Sequence, residues 1–217
     1  MTAKVDVKKS NPRYSAKSGR CDVVAVPPMR YLAMNAAGGP AGEDFAASIS
    51  ALYPLAYAIK FASKIVLDRD YVVPPLEAQW WAADMAAFTT AFDKSDWLST
   101  TLLMVPDWIT EEVIDAARAK CEAKVGAELI ARVRVESIEE ATCVQTLHVG
   151  SFDAEGPTVA AVHATIADAG LTLAGKHHEI YLSDFRRTAT ARLRTIVRQP
   201  AAPKERAPGG TGAPAPR

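Results

Sequence analysis

Between residues 21 and 200 the chain runs through one order of patterns twice, and this duplication restricts the fold more than any other feature. Residues 22–26 and 29–36 are short β-rich runs separated by Pro27-Pro28. The loop Gly38-Gly39-Pro40 leads into a helical pattern over about residues 43–63, with Phe45, Ile49, Leu52, Tyr53, Ala56 and Ile59 on one face. Pro54 lies inside that pattern and predicts a kink or a late start. Residues 76–81 and 97–105 then read as strands. In the second half, 129–136 and 142–149 read as a hairpin pair. Pro157 opens a helix with Val159, Val162, His163 and Ile166 on one face, closed by Gly170, and 179–182 and 192–197 follow as strands. A helix over 110–125, capped by Thr110 ahead of Glu111 and Glu112, links the two sets. The expected fold is α+β: two pseudo-symmetric strand-strand-helix-strand-strand halves, about 21–105 and 128–200, whose sheets meet and leave a ligand groove between them.

The ends differ from the middle. Residues 1–20 carry Lys4, Lys8, Lys9, Arg13, Lys17 and Arg20 against a single Asp6 and read as a solvated basic lead-in. Residues 201–217 hold four prolines and three glycines and almost nothing apolar larger than alanine, the composition of a disordered tail. The 217 residues are 49% apolar, with 25 basic against 25 acidic side chains, enough to bury a sizeable core. Without a basic surplus to neutralise phosphates, direct nucleic-acid binding is disfavoured. No apolar run approaches the roughly 20 residues that span a bilayer and no signal-peptide core opens the chain, so no membrane is implied and a cytoplasmic location is expected. Cys21, Cys121 and Cys143 are an odd number, far apart, and read as reduced thiols.

Two features carry possible chemistry. In the strand His178-Glu179-Ile180-Tyr181-Leu182, alternation puts Glu179 and Tyr181 on one face, about 7 Å apart, with Ile180 and Leu182 on the other. Taken alone, this strand is better accounted for by an exposed face than by a site. Ten of the sixteen aromatic residues fall between Tyr53 and Trp108, including Trp80, Trp81, Trp97 and Trp108. Tyr53, Tyr57 and Phe61, at i, i+4 and i+8, can form one wall, which is more often part of a core than of a cage. Adjacent Trp80 and Trp81 on a strand point to opposite sides, and Glu77 adds a second carboxylate to that segment. The four histidines lack metal-ligand spacing, and no Walker, dinucleotide or nucleophile-elbow motif is present. No metal or cofactor is implied.

Several blocks in order resemble the GyrI-like small-molecule-binding family: Ala51-Leu52-Tyr53 with Tyr57-Ala58-Ile59-Lys60, Pro75-Leu76-Glu77 with Trp80-Trp81, Leu147-His148-Val149-Gly150-Ser151-Phe152-Asp153, and His178-Glu179-Ile180-Tyr181-Leu182-Ser183-Asp184. The resemblance implies a groove with an acid at Glu179 that meets cationic or polar aromatic ligands. The Leu-Glu-x-x-Trp-Trp block is similar to a stand-alone subfamily that includes cyclopropanoid cyclohydrolases, which open the spirocyclopropane of yatakemycin- and duocarmycin-type DNA alkylators. With about 20 residues before the first strand, no DNA-reading domain is expected. On this reading Glu179 is the base, made more basic by desolvation among rings, with Glu77 in reserve. Tyr181 or Tyr57 donates to a developing oxyanion. Tyr53, Trp80, Trp81, Trp97, Trp108 and Phe152 clamp a flat aromatic ligand. The alternative is a non-catalytic protein that sequesters such drugs or influences a protein partner, which stays unidentified.

Overall fold

The computed structural model describes residues 3–82 and 96–204. Its elements, in chain order, are α1 (Val7–Ser10), β1 (Asp22–Val26), β2 (Met29–Ala37), α2 (Glu43–Val66), β3 (Leu76–Trp81), β4 (Leu98–Met104), α3 (Glu111–Val125), α4 (Ala127–Ala131), β5 (Arg134–Ile138), β6 (Ala141–Val149), α5 (Gly156–Asp168), β7 (Leu171–Leu173), β8 (His177–Tyr181) and β9 (Arg194–Pro203). The α+β class and the order of its elements agree with the sequence reading.

The pairing departs from it. β5 does not form a hairpin with β6; β5 pairs with β2, and β6 pairs with β1 and β9. Residues 129–131, read as strand, belong to α4. The registers give the reason. Val26 faces Ala141 on one side of Pro27-Pro28, and Met29 faces Ile138 on the other. β1-β2 and β5-β6 therefore run past each other as two long bent strands, the second turning at Glu139-Glu140 before Ala141, whose φ is +52°. From β2 the pairing continues through β4, β3, β8 and β9 back to β6. The sheet wraps round on itself, instead of leaving a groove between two separate sheets.

The two faces of this wrapped sheet hold different cores. Outside, α2 lies over β2 and β4, α3 packs on α2, and α5 covers β6 and β9. Helix α2 runs unbroken through Pro54. Leu52, Leu55 and Ile59, all fully buried, contribute about 1.5–3 kcal/mol each by burial, which offsets the roughly 3 kcal/mol cost of an interior proline. By length and composition α2 is long and apolar enough to cross a membrane, which corrects the reading that no segment approaches that length. Here its apolar face is covered by the sheet.

Inside, Tyr31, Ala33, Leu102, Leu147, Ile180 and Ile196 form an apolar lining around a buried polar chain. His178 lies between two carboxylates, Nε2 3.1 Å from Glu77 Oε2 and Nδ1 2.8 Å from Glu140 Oε1. Arg198 donates to Glu140 at 3.2 Å, to Gln145 at 3.0 Å and to the Arg13 carbonyl at 2.8 Å. The N-terminal segment, expected as a solvated basic lead-in, keeps most of its basic residues exposed but sends Val7 and Tyr14 into this interior. Tyr14 is buried and its hydroxyl donates to Glu77 Oε1 at 2.6 Å. At the other terminus, residues 201–203 extend β9 and pair with β7, so these three are strand and not tail; 205–217 lie outside the described residues.

The polar chain gives the fold a defined pH dependence. Burial pulls the His178 imidazole down, but the flanking Glu140 and Glu77 carboxylates push it up to about 9 from an ordinary 6.5. Its stabilising contribution is full below the ordinary value and is lost as pH rises through about 9. Burial raises the Glu140 carboxyl, yet His178 and Arg198 hold it at about 2. That contribution is present above the usual carboxylate range and disappears as pH falls towards 2. The urea midpoint of the wild type is expected to fall between neutral pH and pH 9, by the equivalent of about 2 kcal/mol. His178→Gln is expected to flatten that limb; an alkaline limb unchanged in the variant would remove His178 as its origin.

Candidate functional site

On β8, alternation sends His178 and Ile180 inward and His177, Glu179 and Tyr181 outward. The register with β3 sets Trp80 beside His177, Ala78 beside Glu179 and Leu76 beside Tyr181. The methyl group of Ala78 leaves room for the carboxylate next to it. Tyr181 donates its hydroxyl proton to Glu179 Oε2 at 2.8 Å, and the Trp80 indole N–H donates to the Tyr181 oxygen at 3.2 Å. His177 Nε2 lies 3.5 Å from Glu179 Oε1. Glu155, at the start of α5, completes the group through a side-chain hydrogen bond to Glu179.

These contacts decide the charge state. Burial pushes the Glu179 carboxyl up, but the hydrogen bond and charge of His177, with the Tyr181 and Glu155 hydrogen bonds, outweigh it and hold it below the usual carboxylate range. This corrects the expectation that desolvation dominates: the site keeps Glu179 anionic by giving it donors. Burial and the neighbouring Glu179 charge push the Tyr181 phenol well above its ordinary value, so it stays a proton donor.

Rings enclose the pair. Phe152 and Phe185 meet Tyr181 edge to face, with centroids 5.7 and 5.9 Å from its ring. Trp80 packs between Phe45 at 5.1 Å and Trp97 at 6.0 Å. An open pocket of about 240 Å³ reaches this cluster from outside, lined by Tyr53 and Tyr57 of α2, Pro74, Pro75 and Leu76, Tyr181, and Phe185 and Arg186. Asp6, Lys8, Asp184 and Arg186 balance in charge around it. Glu179 is not part of the lining; it lies behind Tyr181, 8% exposed. A second, shallower groove runs between α2 and α3, along Tyr53, Tyr57, Lys120 and Lys124.

Of the residues expected at the site, Glu179, Tyr181, Trp80 and Phe152 are brought together, Trp97 supports Trp80, and Tyr53 and Tyr57 form the outer wall. Three others lie elsewhere. Glu77 is inside the barrel with His178, because its odd offset from Trp80 and Ala78 turns it to the opposite face; it is no reserve base for Glu179. Trp81, on that same face by alternation, lies against the Lys176 ammonium, 3.4 Å from its ring centroid. Trp108 donates to Ser63 and stacks under Arg69 near the far end of α2. The stripe Tyr53, Tyr57 and Phe61 is neither core nor closed cage: its rings follow one another at 6.4 and 6.5 Å, with Tyr57 and Phe61 about half exposed.

Sequence reasoning missed His177, Glu155 and Phe185. The same alternation that paired Glu179 with Tyr181 puts His177 on their face two residues earlier, so it was within reach. Glu155 has no local signal; only the packing of α5 against the sheet brings it to β8. Among the described residues, no group of three or more His, Cys, Asp or Glu side chains is arranged to hold a metal ion.

The comparisons with known proteins agree with this architecture. An uncharacterized conserved protein from Listeria innocua superimposes with a TM-score of 0.83 at 37% identity, over 92% of this chain and 100% of that one. A hydrolase from Listeria innocua matches over the same shares with a TM-score of 0.79 and 34% identity. The EcmrR C-terminal domain shares the fold alone, with a TM-score of 0.53 and 12% identity over 85% of this chain and 98% of that domain. A search of curated proteins gave no significant match. The family description GyrI-like small molecule binding domain fits residues 20–200, the same span that forms the wrapped sheet and its helices, and the chain belongs to that family.

Proposed function

We propose that the protein is a cytoplasmic hydrolase for flat, neutral aromatic substrates, of the cyclopropanoid cyclohydrolase type, opening the spirocyclopropane of yatakemycin- or duocarmycin-type alkylators as a protection against them. The observation that carries this reading is the hydrogen-bonded Glu179–Tyr181 pair, 2.8 Å apart, behind an aromatic pocket of balanced charge. A carboxylate kept anionic beside a phenol kept protonated is a base next to an acid. Membership of a small-molecule-binding family and likeness to a Listeria hydrolase support it.

The chemistry follows from that pair. Water attacks the unsubstituted cyclopropane carbon; a carbon–oxygen bond forms, the strained carbon–carbon bond breaks, and its electron pair moves through the dienone to the carbonyl oxygen. Glu179 takes the proton from the attacking water. Tyr181 gives its proton to the new phenolate oxygen and recovers one from Glu179, so the net change is the addition of one water. Glu155 and His177 keep Glu179 oriented while its charge changes, and Tyr53 and Tyr57 hold the ligand plane.

A sequestering protein would use the same pocket without turnover, and the burial of Glu179 behind rings favours that second reading. Mass spectrometry of a duocarmycin-type compound after incubation separates the two: hydrolysis adds the mass of one water, whereas sequestration returns the compound unaltered in stoichiometric amount. Glu179→Gln is expected to retain ligand binding while product formation falls about 100-fold or more, the scale for loss of a general base. Turnover at the wild-type rate in that variant would remove Glu179 from the mechanism. Tyr181→Phe is expected to lower kcat by roughly 100-fold with KM little changed, and a change confined to KM would make Tyr181 a binding residue.

A further inference from the structure

Between the open pocket and Glu179 lies a triangle of rings. Phe152, Tyr181 and Phe185 meet edge to face, with centroids 5.7, 5.9 and 6.0 Å apart. Two corners are anchored. Tyr181 belongs to β8, which is paired on both sides, and its hydroxyl is held by Glu179 and Trp80. Phe152 begins the short turn that leads into α5. The third, Phe185, sits outside the sheet on the segment 182–188 and lines the pocket.

The segment is tied at its start, by the Leu182 N–H to the Arg194 carbonyl at 2.9 Å, the Arg194 N–H to Ser183 Oγ at 3.2 Å and Lys8 Nζ to the Leu182 carbonyl at 3.3 Å, and from Asp184 onward its described hydrogen bonds run within itself. The Asp184 carboxylate accepts from the Arg186 backbone N–H at 3.0 Å and from its guanidinium at 3.0 and 3.2 Å. The N–H groups of Arg187 and Thr188 return to the Asp184 carbonyl at 3.0 and 2.9 Å. Such a unit can shift while its own bonds persist and the sheet stays intact. Arg186, on the same unit, lies over the Tyr53 ring at 5.7 Å, in the space a stacked ligand would take.

We propose that Phe185 is the gate between the pocket and Glu179 and determines which aromatic ligands reach the carboxylate. A ligand that stacks on Tyr53 displaces Arg186, and through the rigid Asp184 turn this draws Phe185 away from Tyr181 and Phe152. A ligand too small to displace Arg186 leaves the rings closed. The inference rests on the reading of Glu179 as the acting group, and its test separates the two.

Carbodiimide labelling of carboxyl groups at mildly acidic pH, located by peptide mass spectrometry, reads access to Glu179 without any ligand. Phe185→Ala is expected to raise labelling of Glu179 roughly tenfold, while Glu77 and Glu140, sealed in the barrel, stay as protected as in the wild type. The variant is also expected to bind a duocarmycin-type compound several-fold faster, followed by tryptophan fluorescence, and Phe185→Trp more slowly than the wild type. Unchanged Glu179 labelling with Glu77 and Glu140 protected overturns the gate and leaves the hydrolase reading intact. Raised labelling with no water added to the compound keeps the gate and overturns the hydrolase. If Glu77 and Glu140 label in step with Glu179, the barrel has opened; Phe185→Leu then decides, with a raised ratio of Glu179 to Glu77 labelling supporting the gate and an unchanged ratio overturning it.

Discussion

An imidazole held between two carboxylates, with a guanidinium on one of them, sits at the centre of this protein. Each partner comes from a different part of the wrapped sheet: Glu77 from β3, Glu140 from the bend before β6, His178 from β8 and Arg198 from β9. Removing one member would leave a buried charge or donor without its partner, and such a loss costs several kcal/mol. The network therefore penalises any slip of β8 against β3 or β9. A slip of one residue would turn His178 outward and Glu179 inward, because side chains alternate along a strand.

That coupling explains how one five-residue strand serves two purposes. Its inward residues secure the barrel, and its outward residues, His177, Glu179 and Tyr181, form an acid–phenol–imidazole cluster under rings from α2, β3, the residue before β4 and the turn before α5. The two faces also treat charge differently. Inside, Glu140 is matched by the cations His178 and Arg198. Outside, Glu179 meets the His177 imidazole and the Tyr181 hydroxyl, with no guanidinium or ammonium in contact among the described ion pairs.

The family relationship and the local geometry make complementary statements. The GyrI-like match and the Listeria structures account for the wrapped sheet and for small-molecule binding. The family match by itself does not distinguish a binder from an enzyme; on the proposed reading that difference lies in a few groups around β8 and in whether the rings before Glu179 part. The balanced charge of Asp6, Lys8, Asp184 and Arg186 argues for a neutral ligand over a cation, since an unmatched acid at the mouth would be needed to favour positive charge there.

The strands, the long helices and the duplicated order were readable from the sequence because each rests on local periodicity, and the pairing of Glu179 with Tyr181 followed from the same alternation. So did the opposite facing of Trp80 and Trp81. What periodicity does not carry is which strand pairs with which: the partner of β5 is β2, a choice made by the shared bend at Pro27-Pro28 and Glu139-Glu140. For the same reason Glu77, expected as a reserve base, lies on the other side of the sheet from Glu179, Glu155 gave no sign of its role, and the basic N-terminal residues hid the tyrosine that seals the barrel. Local spacing fixes the face on which a side chain stands; contacts between distant segments, formed only when the sheet closes, decide what it meets there and which charge it carries.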